Sequence, residues 1–149
     1  MAASAAVKRR LRFLSAEEVV TMHEVLLARF GGRAGGGPRG PFYEGVDAAV
    51  QAVKNSYYQT IEELAAAYAV YIVQGHVFAD GNKRTGAAAM LTFLEANAAP
   101  VSIDAEELAA MMIELQQRAE AGEPVSDLVL GIARTLAACH TGRRRSRRR

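Results

Sequence analysis

The segment Gly75-His-Val-Phe-Ala-Asp-Gly-Asn-Lys-Arg-Thr85 places an imidazole, a carboxylate, two cations and a turn between two apolar, alanine-rich segments. Those flanking segments, residues 62–74 and 86–96, carry their apolar side chains at helical spacing. A polar cluster between two core-type helices is costly to fold unless something binds it, because buried charge needs partners. The sequence therefore predicts two central helices with a ligand-binding turn between them.

The turn itself has the composition of a phosphate site. Asp80, Gly81 and Asn82 are turn formers, and Gly81 can adopt a positive φ without steric cost. A helix that begins near Asn82 presents free amides and a positive dipole end, which together bind anions. Lys83 and Arg84 follow in its first turn and would add a point charge and a planar fork.

Three further residues of the segment have predicted roles. Asp80 would repel a phosphate unless it holds Mg²⁺, which typically uses one or two carboxylates together with substrate phosphates. His76 could take the proton of an attacking hydroxyl as a general base, and Phe78 should point into the core. Taken singly, a histidine before a turn is more often structural than catalytic. Residues 81–86 form no Walker A loop, because Ala87 and Ala88 stand where Lys and Ser or Thr are required.

The rest of the chain predicts further helices and no strand of useful length, so the expected fold class is all-α, a compact helical bundle. His23 falls on the apolar face of the first helix and is interpreted as a packed, hydrogen-bonded histidine. Side-chain caps are expected at Ser15, Thr60, Asp104 and Ser126. The predicted helices run from the Ser15 cap to Phe30, then over 46–55, 62–74, 82–97, 105–120 and 128–138.

A glycine-rich segment, Gly31–Gly45, separates the first two predicted helices. Its seven glycines and two prolines exclude a long regular element. It is either a flexible connection or a functional loop, and Phe42 and Tyr43 would give it an apolar tip for a partner.

The length and the charge distribution of the chain limit its domain organisation. The 149 residues suit one domain, predicted as a flexible basic N-terminus (1–12), a helical domain (13–140) and a disordered arginine-rich tail (141–149). Residues 13–142 hold eight Lys or Arg against sixteen acids, so the body is acidic and the ends are basic. A single cysteine, no apolar run of membrane length and no signal-type N-terminus predict a cytoplasmic protein.

The pattern His76-x-Phe78-x-Asp80-Gly-Asn-Lys-Arg-Thr resembles the motif of the Fic/Doc family, His-x-Phe-x-(Asp/Glu)-Gly-Asn-(Gly/Lys)-Arg. Lys83 and Thr85 make it similar to the Doc (death-on-curing) toxin branch. The resemblance covers roughly residues 14–138, including Leu-Ser-Ala-Glu-Glu at 14–18 and Thr-Phe-Leu-Glu-Ala-Asn at 92–97. Val77 departs from the family pattern, where proline is commonest at this position.

The resemblance implies the Fic fold, with ATP and Mg²⁺ as cofactors. It implies His76 as the general base, Phe78 as the core anchor, Asp80 as the Mg²⁺ ligand, Gly81, Asn82, Lys83 and Arg84 as phosphate-binding residues, and Lys83 and Arg84 as further catalytic groups. No inhibitory motif of the family, Ser/Thr-x-x-x-Glu-Gly/Asn, occurs in the chain, so a separate antitoxin chain is the expected inhibitor.

Most Fic enzymes transfer AMP to a protein hydroxyl, whereas Doc transfers the terminal phosphate of ATP to elongation factor Tu. Lysine at position 83 favours phosphoryl transfer in the family, so the expectation is a toxin that phosphorylates a protein such as this translation factor. AMP transfer by the same fold is the alternative. A second alternative is a non-enzymatic helical module whose arginine-rich tail meets nucleic acid or an acidic partner.

Overall fold

The structure, a computed structural model, describes residues 8, 10–32 and 42–140. Within these residues it contains six α-helices and no strand, which confirms the all-α prediction. Residues 1–7, 9, 33–41 and 141–149, including most of the glycine-rich segment and the arginine-rich tail, lie outside the described residues. The helices are α1 Ala16–Phe30, α2 Tyr43–Lys54, α3 Ile61–Gln74, α4 Asn82–Ala96, α5 Ala105–Glu120 and α6 Val125–Ala138.

Helix α3 is the centre of the bundle, because α2, α4, α5 and α6 all pack against it. Its residues 64–70 are all buried, so almost every face of this part of the helix meets protein. Tyr68 and Phe93 form the aromatic centre of the core, with ring centroids 5.2 Å apart. The two helices that flank the polar turn are therefore core helices, as the sequence predicts.

Two predicted caps are confirmed as reciprocal capping boxes. Ser15 accepts from the Glu18 amide while the Glu18 carboxylate accepts from the Ser15 amide, and Thr60 and Glu63 repeat the arrangement. Asp104 likewise accepts from the amide of Glu107 at the start of α5.

The predicted start of α6 is wrong. The helix begins at Val125, and Ser126 does not cap it. The carbonyl of Pro124 accepts from the amides of Asp127 and Leu128 instead. Proline fixes its own φ near the helical value, so it can start a helix without a side-chain cap.

The predicted start of α2 is also wrong. The helix begins at Tyr43, three residues before the expected Val46, and includes Gly45. Phe42 and Tyr43 do not form an exposed tip, because both are partly buried. The Phe42 ring meets Phe78 edge-on at 6.2 Å, and the Tyr43 hydroxyl donates to Glu17 at 2.9 Å.

Residues near both ends of the described chain lie against one short connection. The side chain of Asn97, which follows α4, accepts from the Arg12 amide at 2.7 Å and donates to the Arg12 carbonyl at 3.0 Å. On the other side, His140 pairs with Val101 in a single antiparallel bridge. No helix within the described residues has the length and apolar character that a membrane span needs.

Candidate functional site

The polar segment forms the connection between the C-terminal end of α3 and the N-terminal end of α4. Helix α3 ends at Gln74, and His76 follows with a φ of 46°, a left-handed value that is uncommon for a residue other than glycine. This conformation turns the chain sharply out of α3. The imidazole of His76 is exposed and has no hydrogen-bond partner among the described residues.

The opposite side of the connection is anchored in the core. Phe78 is 3% exposed, and its ring stacks on the ring of His23 from α1, with centroids 3.7 Å apart and planes 6° apart. The side chain of Asn82 accepts from the Phe78 amide at 3.0 Å and donates to the Phe78 carbonyl at 2.9 Å. Asn82 therefore holds the backbone of the loop through its side chain.

Gly81 makes the transition into α4. It has a φ of 81° and occupies the N-cap position, with no side-chain cap. A side chain would be strained at this φ, and a Cβ would also lie 3.5 Å from the His23 ring. The free amides of the first turn of α4 therefore lack a competing cap, which leaves them available to an anion.

A pocket of about 420 Å³ opens above this turn. Its volume falls within the range of ligand sites. Helix α5 closes one side, where Gln116 accepts a hydrogen bond from the Lys83 ammonium at 2.5 Å. The lining residues are Val73, His76, Ala79, Asp80, Gly81, Asn82, Lys83, Arg84 and Gln116.

Arg84 borders the pocket but is also held elsewhere. Its guanidinium carbon lies 4.7 Å from the centroid of the Phe30 ring, a cation–π contact at the end of α1. Both side chains are exposed, so the contact holds the guanidinium without burying it. To bind a phosphate deep in the pocket, Arg84 would leave this ring.

Asp80 is the one acid among the described residues that line the pocket. No group of three or more His, Cys, Asp or Glu side chains that could hold a metal occurs within residues 8, 10–32 and 42–140. A pocket with one carboxylate does not fit a metal held by protein alone. It does fit Mg²⁺, which is commonly bound by one or two carboxylates with the remaining positions taken by phosphate oxygens and water.

The structure thus brings six of the predicted site residues to one cavity, namely His76, Asp80, Gly81, Asn82, Lys83 and Arg84, and directs Phe78 away from it. Sequence reasoning missed Gln116, which lies more than thirty residues after the segment and carries no local signal. It predicted a buried, hydrogen-bonded His23 but not its partner, the carbonyl of Asp80, at 2.7 Å.

Comparison with known proteins gives two findings. The model of the Fic/DOC family matches residues 13–94, which include all of the polar segment. The chain is also 35% identical over 104 residues to "Protein kinase doc" of Escherichia phage P1, an alignment that covers 69% of this chain and 81% of that protein. The match extends well beyond the motif, through the core helices that position it, and so the chain belongs to the Fic/DOC family.

Proposed function

We propose that this protein transfers the terminal phosphate of ATP to a hydroxyl group of a target protein, as a Doc-like toxin. The observation that carries the proposal is that His76, Asp80 and the uncapped start of α4 line the same pocket. Membership of the Fic/DOC family and the similarity to the phage P1 protein kinase support it.

The proposed reaction needs a general base that deprotonates the target hydroxyl and a site that binds the phosphates of ATP. His76 removes the proton of the target hydroxyl, the hydroxyl oxygen forms a bond to the γ-phosphorus, and the bond from that phosphorus to the β-γ bridging oxygen breaks. ADP leaves, and His76 holds the proton. His76 suits this role because its ring is exposed at the pocket and is not engaged by another described side chain.

Charge neutralisation supplies much of the catalysis in phosphoryl transfer. The amides at the start of α4, the Lys83 ammonium and the Arg84 guanidinium would bind phosphate oxygens. Asp80 would hold Mg²⁺, which neutralises charge on the phosphates when it is bound.

Lys83 favours phosphoryl transfer over AMP transfer by the same fold. Its side chain extends across the pocket to Gln116 and so occupies space that a glycine would leave to a phosphate group. Its charge also moves the preferred phosphate position towards α5. AMP transfer is the outcome that would replace this part of the proposal.

The deciding experiment is mass spectrometry of a target protein incubated with the purified chain, ATP and Mg²⁺. Elongation factor Tu is the first target to test. We expect a mass gain of one phosphoryl group on a serine or threonine. A gain of one AMP would support the alternative, and an unmodified target in a lysate-wide search would contradict enzymatic transfer.

Paired variants assign the roles. His76→Ala should lower the rate by about 10²–10⁴-fold, the usual contribution of a general base. His140→Ala, which changes a histidine outside the pocket, should leave the rate near that of the wild type. Asp80→Asn should weaken the Mg²⁺ dependence, whereas Asp127→Asn on the exposed face of α6 should not.

The partners follow from the same proposal. A toxin of this kind acts in the cytoplasm, and a separate antitoxin chain would neutralise it. Co-expression with such an antitoxin chain should restore growth to cells that express the wild-type chain.

A further inference from the structure

His23 lies directly beneath the turn that opens α4, on the side opposite the pocket. It is 1% exposed, and its Nε2 lies 2.7 Å from the carbonyl oxygen of Asp80. We propose that His23 is a positioning residue that fixes the Asp80–Gly81 peptide so that the Gly81 amide faces the phosphates of the nucleotide. This inference rests on the proposed function, because it assigns a nucleotide to the pocket.

The orientation of this peptide follows from its geometry. The chain has no cis peptide bond, so the carbonyl of Asp80 and the amide of Gly81 point in opposite directions across one plane. Because His23 binds the carbonyl from the core side, the N–H of Gly81 points away from α1. Gly81 lines the pocket, and no acceptor for its N–H occurs in the part of the chain that the structure describes.

The hydrogen bond defines the state of the His23 ring. A carbonyl oxygen can only accept, so Nε2 carries the proton and donates it to Asp80. A histidine protonated on both nitrogens donates from the same atom. The positioning therefore does not need a particular charge on His23.

The stack on Phe78 prevents the ring from rotating out of line. The two planes are nearly parallel, at 6°, and the Phe78 backbone is in turn held at both its amide and its carbonyl by Asn82. His23, Phe78 and Asn82 therefore fix the loop on both sides of Asp80. Gly81 lies next to the ring, where a Cβ would be 3.5 Å from it, an ordinary contact, and its φ of 81° is the reason that a glycine is favoured there.

An amide whose orientation is fixed contributes more to the affinity for a charged ligand than an amide that can rotate. If the Asp80–Gly81 peptide rotated, the carbonyl would face the pocket and repel the phosphate that the amide should bind. Hydrogen bonds to charged groups are among the stronger ones in proteins. Loss of the His23 bond should therefore weaken nucleotide binding even when the protein remains folded.

Three substitutions at position 23 separate the hydrogen bond from the packing. His23→Gln places an amide nitrogen at the same number of bonds from Cα as Nε2, so it can donate to the Asp80 carbonyl. His23→Asn is chemically similar but one bond shorter. His23→Phe keeps the stacked ring and removes the donor.

The measurements are the Kd of a non-hydrolysable ATP analogue by calorimetry, the KM for ATP, and the chemical shift of the Gly81 amide by NMR. We expect His23→Gln to stay within about twofold of the wild-type Kd, and His23→Asn and His23→Phe to weaken binding about tenfold or more. Without nucleotide, the chemical shift of the Gly81 amide should stay near the wild-type value in His23→Gln and move away from it in the latter two variants, because the Asp80–Gly81 peptide is no longer fixed. The midpoint of thermal unfolding shows how much of each variant is folded.

Two failures are distinguishable. If the wild-type chain binds the analogue and folded His23→Phe and His23→Asn bind it equally well, His23 contributes only to stability and the inference is overturned while the proposed function stands. If the wild-type chain does not bind the analogue at all, the proposed function and the inference fail together.

Discussion

The side chain of Asn82 holds the backbone of the motif loop, which is a structural role that its polar chemistry does not by itself indicate. The sequence predicts it as a phosphate-binding residue, but its side-chain oxygen and nitrogen both bond to the backbone of Phe78. Arg84 likewise contacts Phe30, more than fifty residues away in sequence. Local spacing predicts which residues share the pocket. The partner of Asn82 lies only four residues away in the same segment, whereas the partner of Arg84 is set by the packing of α1 against α4, which no local pattern encodes.

Gly86 is another residue whose role is visible only in the structure, where it allows two helices to pack closely. It lies in α4 where this helix meets α3, and a Cβ there would be 3.1 Å from a methyl group of Val73 and 3.3 Å from the carbonyl oxygen of Ala69. The close approach of the two central helices therefore depends on the absence of a side chain.

We predict that Gly86→Ala destabilises the protein by about 1–3 kcal/mol, because overpacking outweighs the better helix propensity of alanine. Gly131→Ala is the matched control. That glycine is also inside a helix, but its Cβ would have its nearest neighbour, an Arg118 nitrogen, at 3.7 Å. The control should be neutral or more stable by up to about 1 kcal/mol. Urea unfolding measures both, and equal stabilities would contradict the close-packing explanation.

Tyr68 links the core to the segment before α1. Its hydroxyl accepts from the Leu14 amide at 2.9 Å, and burial raises the pKa of Tyr68 from 10.0 to about 12. A raised folded-state pKa means that the stability from this group is complete below pH 10 and is lost as the pH rises towards 12.

Tyr68→Phe should lower the free energy of unfolding at pH 7 by about 1–3 kcal/mol, because the Leu14 amide loses its acceptor. The variant should also lose less stability than the wild type between pH 10 and 12. Some alkaline loss will remain, since burial also raises the pKa of Tyr58 to about 12. Tyr57→Phe, at a site that is 99% exposed, should match the wild type in denaturant titrations at both pH values.

At the level of the helices, the sequence correctly predicts that six helices form and in which order, but it predicts the residues at which they begin less well. The starts of α1 and α3 were predictable because a capping box is a local pattern of four residues. The start of α6 was not predictable in this way, since Ser126 resembles a cap but the N-cap position is occupied by Pro124. The start of α2 was hidden by Gly45, because a glycine inside a helix costs only about 1 kcal/mol relative to alanine and does not by itself end the helix.

Thr60→Ala should destabilise the protein by about 1 kcal/mol, because the Glu63 amide at the start of the central helix loses its acceptor. Ser126→Ala is the control that sequence reasoning would have chosen as equivalent. Since Ser126 caps nothing, its loss should be close to neutral. A thermal-unfolding comparison in which Ser126→Ala is the more damaging change would show that the observed starts are wrong.

At the scale of the whole molecule, the site and the contacts of Arg12 and His140 lie at opposite ends of α4. The motif precedes Asn82, whereas Asn97 and the connection to α5 follow Ala96. Fifteen residues of helix separate them by about 22 Å. Changes at the Asn97 end should therefore leave nucleotide binding unaffected.

Asn97→Ala tests this separation. The Asn97 side chain bonds to both the amide and the carbonyl of Arg12 and to the carbonyl of Phe93. Its loss should speed hydrogen exchange in the segment around Arg12 while the Kd for nucleotide stays the same. Asn55→Ala at the end of α2 serves as the control, and a changed Kd in Asn97→Ala alone would mean that the two ends of α4 are coupled.

The arginine-rich tail provides the test between the enzymatic and the non-enzymatic hypotheses. Removal of residues 142–149 should leave growth inhibition intact, because every residue assigned to the proposed reaction lies outside the tail, whereas His76→Ala should abolish it. Growth curves of cells that express each variant give the answer. If the truncation restores growth and His76→Ala remains as toxic as the wild type, the protein acts as a binding module.

The contacts of Arg12 and His140 have a practical consequence. Both lie against residues 97–101, a stretch that spans at most about 14 Å when fully extended. Arg12 and His140 therefore lie close enough for a short peptide to join them. A circularly permuted chain, opened at the exposed Tyr57 between α2 and α3, should retain the central helix pair and its pocket.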